Sequence, residues 1–126
     1  MAFAQNSPIY LQICDRIVEL IIRKEWDEEM RIPSVREMSV ETEVNPNTIA
    51  RSYTYLQDLN IIHNKRGIGY FVASGAREIA LTYMRQQFVK EELPPLFRML
   101  DLLDLKVSDL QKFRDEFEQE TKETTK

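Results

Sequence analysis

Two helix-start signals only eleven residues apart constrain the fold of this chain more than any other feature. Ser34 and Glu37 have the S-x-x-E spacing of a capping box, in which each residue bonds the backbone amide of the other at the start of a helix. Asn45 is a good N-cap, and Pro46 suits the first turn of a second helix. Because only about three residues separate the two helices, they must cross steeply, as in a helix-turn-helix.

An amphipathic helix is predicted ahead of this pair, from about Pro8 to Lys24, with Ser7 as its N-cap and Pro8 at its first position. Residues 25–32 have no clean period and indicate a loop, in which Trp26 folds back as an apolar plug. The apolar stripe of the first helix recurs at spacings of three and four residues, at Ile9, Ile13, Ile17, Leu20 and Ile21. The stripe of the helix that starts near Asn45 comprises Ile49, Tyr53 and Leu56.

The apolar period changes after Leu59. Asn60 predicts a helix stop in the left-handed conformation, because asparagine tolerates positive φ. Residues 61–63 predict a strand and residues 68–72 a returning strand, joined by a turn with a basic tip. A helix-turn-helix followed by such a hairpin is a winged helix. We therefore predict a mainly α fold with a small β-hairpin, in which residues 1–75 form a winged helix-turn-helix domain.

Residues 76–126 predict a short helical region that ends in a frayed polar tail. At Pro94–Pro95 either one helix ends or a kinked helix runs on, and Ser108 with Gln111 repeats the capping-box spacing. So few residues cannot close a core of their own, so we predict a symmetric homodimer. The residues expected to form its interface are Ile79, Tyr83, Met84, Phe88, Leu96, Leu100, Leu103, Leu110, Phe113 and Phe117.

The net charge of −4 does not by itself indicate a nucleic-acid or membrane partner. Residues 31–72 nevertheless hold five basic and four acidic side chains, a local balance of +1. The single cysteine, Cys14, is expected to be a small buried apolar residue. The sequence shows neither an apolar run of about 20 residues nor a secretory signal at its start, so we expect a cytoplasmic protein without a membrane partner.

The sequence does not indicate an enzyme. His63 is the only histidine, and neither a Ser-His-Asp set nor a glycine-rich phosphate loop nor a C-x-x-C spacing occurs. We expect no catalytic residues, no metal site and no cofactor.

The order of residues resembles the DNA-binding domain of GntR-family transcriptional regulators. The resemblance is carried by "IPSVREMS" at the second helix, "NTIARSYTYL" at the third and "GIGYFV" on the wing. The opening "SPIYLQICDRIVELI" resembles the first helix of that family, so the likeness covers about Pro8 to Val72. The tail with "LDLKVSDLQKF" resembles the YtrA-type subfamily, whose members carry a small dimerising appendage instead of a full effector domain.

The resemblance implies positions for DNA contacts. Residues 34–36 would meet a phosphate and a base edge, residues 45–48 would enter the major groove, and residues 65–67 would reach the minor groove or its phosphates. Arg51, one turn into the third helix, is expected to contact DNA, with Asp58 or solvent as the alternative partner. The predicted DNA-binding residues are Ser34, Val35, Arg36, Asn45, Pro46, Asn47, Thr48, Arg51, Lys65, Arg66 and Gly67.

The sequence departs from the family in two ways. Many relatives have a basic residue or serine where this chain has Pro46, which changes the base contact expected there. Glycines common in the family are replaced here by Glu25, Glu29, Glu43 and Asn60. The three glutamates imply either ordinary backbone angles or strain.

We predict a sequence-specific DNA-binding transcriptional regulator, a repressor that binds a palindromic operator as a homodimer. Two alternatives remain open at this point: a winged-helix domain that binds another protein, or a sensor whose C-terminal helices bind a small ligand. The identity of any effector is not indicated.

Overall fold

The computed structural model describes residues 7–124 and confirms the predicted mainly α fold with one antiparallel hairpin. A single 3₁₀ turn, Val107–Asp109, precedes the last helix. In chain order the elements are α1 (Ile9–Ile22), α2 (Val35–Thr42), α3 (Pro46–Asp58), β1 (Ile62–Lys65), β2 (Gly69–Val72), α4 (Ala76–Glu91), α5 (Leu93–Leu102) and α6 (Leu110–Thr124).

Helix α1 is shorter than predicted. Its N-cap is Pro8, without a side-chain cap bond, so the assignment of Ser7 as N-cap was wrong. At its other end Lys24 has a positive φ of 63°, which ends the helix before that residue. Ile9, although on the predicted stripe, is 52% exposed.

One core joins α1, α2, α3, the hairpin and the start of α4. The stripes predicted for the first and third helices supply most of it, and Trp26 packs against its edge as predicted. Cys14 is fully buried, and its Sγ donates to the Ser52 carbonyl oxygen at 3.5 Å. Burial raises the pKa of the Cys14 thiol to about 12. The core residues are Ile13, Cys14, Ile17, Val18, Ile21, Ile32, Met38, Ile49, Tyr53, Leu56, Ile61, Ile62, Val72, Ala76 and Ala80.

Tyr53 is the largest fully buried side chain of the described residues. Its hydroxyl donates to the carbonyl oxygen of Pro33 at 2.6 Å, at the entry to α2. Its ring meets that of Tyr70 on β2 edge to face, with centroids 4.9 Å apart. Tyr53 therefore ties α3 both to the approach of α2 and to the hairpin. Burial raises the pKa of this phenol above its ordinary value.

Residues 25–32 form no helix or strand, in agreement with the predicted loop, but residues 29–32 at its end hydrogen-bond along β2. Glu29 donates its N–H to Val72 at 2.8 Å, Val72 donates to Met30 at 2.9 Å, and Ile32 donates to Tyr70 at 3.0 Å. An isolated antiparallel bridge also links Arg31 with Phe71. These bonds cover one edge of β2, which therefore has partners on both sides.

The chain divides into two compact units, the first ending at Val89 and the second beginning at Lys90. This division lies later than the predicted boundary after residue 75. The reason is α4: Ala76 and Ala80 are fully buried in the winged-helix core. In addition, Arg77 Nε donates to the Ile22 carbonyl oxygen at 3.2 Å. Helix α4 therefore completes the first unit.

The second unit contains α5, the 3₁₀ turn and α6. The Pro-Pro pair lies in the first turn of α5, where a missing N–H costs no helical hydrogen bond. One helix therefore ends at Glu91 and another begins at Leu93. The predicted Ser108 capping box was wrong, since Ser108 lies inside the 3₁₀ turn and Asp109 Oδ2 instead accepts from the Lys106 N–H at 2.7 Å.

Glutamates occupy two left-handed backbone positions. Glu29 has a φ of 69° and Glu43, the C-cap of α2, a φ of 59°. Asn60 adopts a φ of 64°, as predicted for a helix stop. At Glu25 the φ is not positive; Lys24, one residue earlier, takes the left-handed conformation instead. Two of the three glutamates that replace family glycines, Glu29 and Glu43, therefore have a strained backbone.

Glu43→Gly should raise the free energy of unfolding by about 0.5–1 kcal/mol, because glycine adopts a positive φ without the steric cost that a side chain imposes. Urea unfolding followed by circular dichroism measures this. Glu25→Gly is the matched control, because it removes a similarly exposed glutamate from an ordinary backbone position and should be neutral or destabilising. A stabilisation of equal size in both variants would contradict the strain at Glu43.

Candidate nucleic-acid interface

The start of α2 is closed by the predicted capping box. The Ser34 Oγ accepts from the Glu37 N–H at 3.1 Å, and the Ser34 N–H donates to Glu37 Oε1 at 3.0 Å. This bond from the Ser34 backbone holds the pKa of the Glu37 carboxyl below its usual value. Arg36 is exposed beside the box, whereas Val35 is half-buried and packs against the core. Arg36 therefore presents its guanidinium at the surface beside the start of α2.

A three-residue turn joins α2 to α3. Glu43 takes the left-handed conformation at the end of α2. Ser39 Oγ then donates to the carbonyl oxygen of Val44 at 2.6 Å, and Asn45 begins the next helix. The left-handed conformation of Glu43 and the hydrogen bond from Ser39 to Val44 thus fix the predicted connection of the helix-turn-helix.

The start of α3 presents polar groups to the surface. Asn45 Oδ1 accepts from the Asn47 N–H at 2.8 Å, and Pro46 occupies the first turn, as predicted. Asn45, Pro46 and Asn47 are exposed, and Thr48 is half-buried. The first turn of α3 contains no acidic residue, so its unpaired N–H groups and positive dipole end face outward without a competing carboxylate.

Arg51 lies one turn farther along α3 and makes a contact that the sequence did not suggest. Its guanidinium carbon lies 3.9 Å from the centroid of the Tyr10 ring on α1. Together with Asn47, Thr48 and the start of α1, these two side chains line an open hollow of about 380 Å³. The structure therefore brings Arg51 next to the polar helix start.

The tip of the wing carries the predicted basic pair. The Ile68 N–H donates to the Lys65 carbonyl oxygen at 2.8 Å and closes the turn. Gly67 is favoured there by its φ of 79° and not by lack of space, because a Cβ at this position would meet no other atom within 4 Å. Lys65 Nζ lies 4.4 Å from the centroid of the Phe71 ring, whereas Arg66 is exposed at the end of the hairpin.

Arg31 is a basic residue of this region that was counted in the local charge balance but not predicted to contact DNA. It is exposed and lies across β2, where a Cβ added at Gly69 would be only 3.1 Å from Arg31 Nε. A glycine at 69 therefore leaves room for the guanidinium. The alternation of exposed Glu29 and Arg31 with more buried Met30 and Ile32 is the period-two signal that could have revealed this extended, bridged segment.

The residues predicted to form a dimer interface differ in how far the chain itself covers them. Ile79, Tyr83 and Met84 pack against the core of the first unit, so part of their surface is covered within the chain. In the second unit Leu100 is buried and Leu110 half-buried. The remaining members are exposed: Phe88, Leu96, Leu103, Phe113 and Phe117.

The chemistry available at this surface is that of a binding site for anions and base edges. Helix starts, amides, a hydroxyl and guanidinium groups are hydrogen-bond donors of the kind that contact phosphates and bases. Residues 7–124 contain no group of three or more His, Cys, Asp or Glu side chains that could hold a metal ion. None of the helices within that range combines the length and the apolar character that crossing a membrane requires.

Comparisons with known proteins agree with this geometry. The family profile described as "Bacterial regulatory proteins, gntR family" matches residues 9–72, slightly more than half of the chain. The chain is 38% identical over 103 residues to the uncharacterized HTH-type transcriptional regulator YhcF of Bacillus subtilis (strain 168), covering 82% of this chain and 84% of YhcF. It is 32% identical over 91 residues to the HTH-type transcriptional repressor YtrA of the same organism, covering 72% of this chain and 69% of YtrA.

A solved structure shares the fold over most of its length. This crystal structure, of a protein from Bacteroides thetaiotaomicron described as a transcriptional regulator of the GntR family, superposes with a TM-score of 0.76 at 47% identity. The match covers 90% of this chain and 99% of that one. The predicted family resemblance is confirmed. The chain belongs to the GntR family of bacterial regulatory proteins, which are DNA-binding transcriptional regulators and not enzymes.

Proposed function

We propose that this chain is a transcriptional repressor that binds a palindromic operator as a homodimer in the bacterial cytoplasm. The observation that carries the proposal is the start of α3, which is exposed and contains no acidic residue. Residues 45–48 there present the Asn45 cap, the Asn47 amide and the Thr48 hydroxyl at the positive end of the helix dipole. In a helix-turn-helix the second helix enters the major groove with its N-terminal residues at the base edges. Exposed Arg36 and Arg66 are suited to flank that contact.

Arg36 is our candidate for reading a guanine. The Arg36 side chain is exposed, and the neighbouring Glu37 carboxylate is engaged by the Ser34 N–H in the capping box. A guanidinium can donate two parallel hydrogen bonds to guanine O6 and N7. The predicted contacts of Ser34, Asn47 and Thr48 would fix the register on the phosphates around it.

The homodimer is supported by apolar surface in the second unit. Leu102 is 77% exposed, Leu103 and Phe117 57%, and Phe113 48%. Large apolar side chains concentrated in so short a segment mark an interaction surface rather than ordinary scatter. A second copy of the chain supplies a matching apolar surface, and the resulting twofold axis would relate two half-sites on the DNA.

We propose repression because this chain is similar to a known repressor. One relative, at 32% identity, is a transcriptional repressor. Occupying promoter DNA with a dimer is sufficient to block transcription physically, so no further activity of the chain is required.

Arg36→Ala should abolish the preference for one base pair in each half-site while leaving the fold intact. Binding-site selection on the unaltered protein defines the operator, and fluorescence anisotropy then compares single-base variants. We expect the mutant to lose about 1–3 kcal/mol of discrimination at that base pair. Arg16→Ala, which removes an exposed arginine from the middle of α1, is the matched control and should keep the preference.

Two outcomes would count against this assignment. Unchanged operator preference in Arg36→Ala would remove Arg36 from base reading. Duplex binding that is absent, or that does not weaken steeply as salt rises, would favour a protein-interaction module over a DNA reader.

Phe113→Glu should convert the dimer into monomers, because a carboxylate placed in an apolar interface loses its hydration without gaining a partner. We expect the dimer to weaken by about 2 kcal/mol or more, measured by sedimentation equilibrium. Gln119→Glu introduces the same charge at another exposed position of α6 and should leave the dimer intact. A monomeric unaltered protein, or a Phe113→Glu dimer of unchanged strength, would refute the proposed interface.

A further inference from the structure

We propose that Tyr10 is a positioning residue for DNA binding, whose ring holds the Arg51 guanidinium in place to meet a backbone phosphate. This inference rests on the proposed function and deepens it. Tyr10 lies on α1, outside every segment for which a DNA contact was predicted.

The contact between the two side chains is direct. The Arg51 guanidinium carbon lies over the Tyr10 ring at 3.9 Å from its centroid, which is van der Waals distance and well within the range of a cation–π interaction. Arg51 is otherwise exposed on α3, so without the ring its long side chain would sample many rotamers. The stack selects one of them before DNA arrives.

The ring is itself held from behind. Tyr55 meets Tyr10 edge to face, with centroids 6.2 Å apart and an interplanar angle of 72°. The Tyr10 carbonyl oxygen accepts from Ser52 Oγ at 2.7 Å, which joins the backbone of α1 to α3. Tyr10 therefore has little freedom to move away from Arg51.

The support continues into α4. Tyr55 meets Tyr83 edge to face with centroids 6.2 Å apart. The Tyr83 hydroxyl in turn donates to Asp15 Oδ1 on α1 at 3.4 Å. A row of three tyrosines from three helices thus stands behind a single surface arginine, which is more support than a solvated arginine requires.

The surroundings indicate an anion as the ligand. Arg51, Asn47 and Thr48 lie three and four positions apart on α3, on one side of the helix, and line the same hollow as Tyr10. The first turns of α1 and α3 also border this hollow, and neither contains an acidic residue. Both helix starts contribute positive potential there.

Stacking leaves Arg51 able to bind a phosphate. A guanidinium is planar, so its face can lie on the ring while the N–H donors in its plane remain free for oxygen atoms. Because the side chain is already ordered, less rotamer freedom is lost when the phosphate is bound. The ring thus acts on DNA through Arg51.

The test uses a mixed-sequence DNA duplex as the probe, because a phosphate contact does not depend on the base sequence. Fluorescence anisotropy measures Kd for the full chain over a series of salt concentrations. Arg51→Ala should weaken binding and reduce the salt slope by about 0.9 for each protomer on the DNA. Tyr10→Leu should weaken binding about two- to fivefold per protomer.

Conservative variants separate the ring from a merely structural effect. Tyr10→Phe and Tyr10→Trp keep an aromatic face and should bind like the unaltered protein, whatever happens to the stability of Tyr10→Leu. In the Arg51→Ala background, Tyr10→Leu should cause no further loss. Arg16→Ala, which removes an α1 arginine outside the hollow, should retain the salt slope.

The inference is overturned if Tyr10→Leu, folded by circular dichroism, binds as tightly as the unaltered protein. It is also overturned if Tyr10→Phe and Tyr10→Trp are as weak as Arg51→Ala, or if the loss in Tyr10→Leu persists without Arg51. A different result, no salt-dependent binding of the duplex by the unaltered protein, would refute the proposed function itself.

Discussion

The burial of Tyr53 is the interaction on which the DNA-binding unit depends. This ring on α3 reaches the hairpin through Tyr70, and its hydroxyl satisfies the Pro33 carbonyl at the entry to α2. A buried tyrosine must place both its apolar body and its hydroxyl, so it fixes position and rotation together. With the inner side of α3 fixed in this way, the polar start of the helix is left on the outside.

Strain is concentrated in the connections that aim these helices. Glu43 accepts a left-handed backbone between α2 and α3, and Glu29 accepts one at the start of the segment that pairs with β2. Asparagine or glycine would be less costly at such positions. The core tolerates this strain because the connections cannot relax without pulling buried side chains out of contact.

The two compact units divide the chemistry of the chain. The first buries one continuous apolar core and exposes polar groups and arginines at the helix starts and on the wing. The second buries Leu100 but exposes most of its large apolar side chains, among them Leu102, Leu103, Phe113 and Phe117. Helix α4 belongs to the first unit because its two alanines allow close approach to the core. Tyr83 of the same helix meets Tyr55 edge to face and so belongs to the row of tyrosines behind Arg51.

Local signals in the sequence determined the capping box at Ser34, the Asn45–Pro46 helix start and the stop at Asn60, because each depends on bonds or backbone angles within a few residues. They also determined which face of α3 is buried, since that face follows from the helical period. Only the tertiary structure decided the pairing of residues 29–32 with β2, the union of α4 with the core and the stack of Arg51 on Tyr10. Those features join residues that are distant in the chain, and whether such partners meet depends on how the helices cross, which no local spacing encodes.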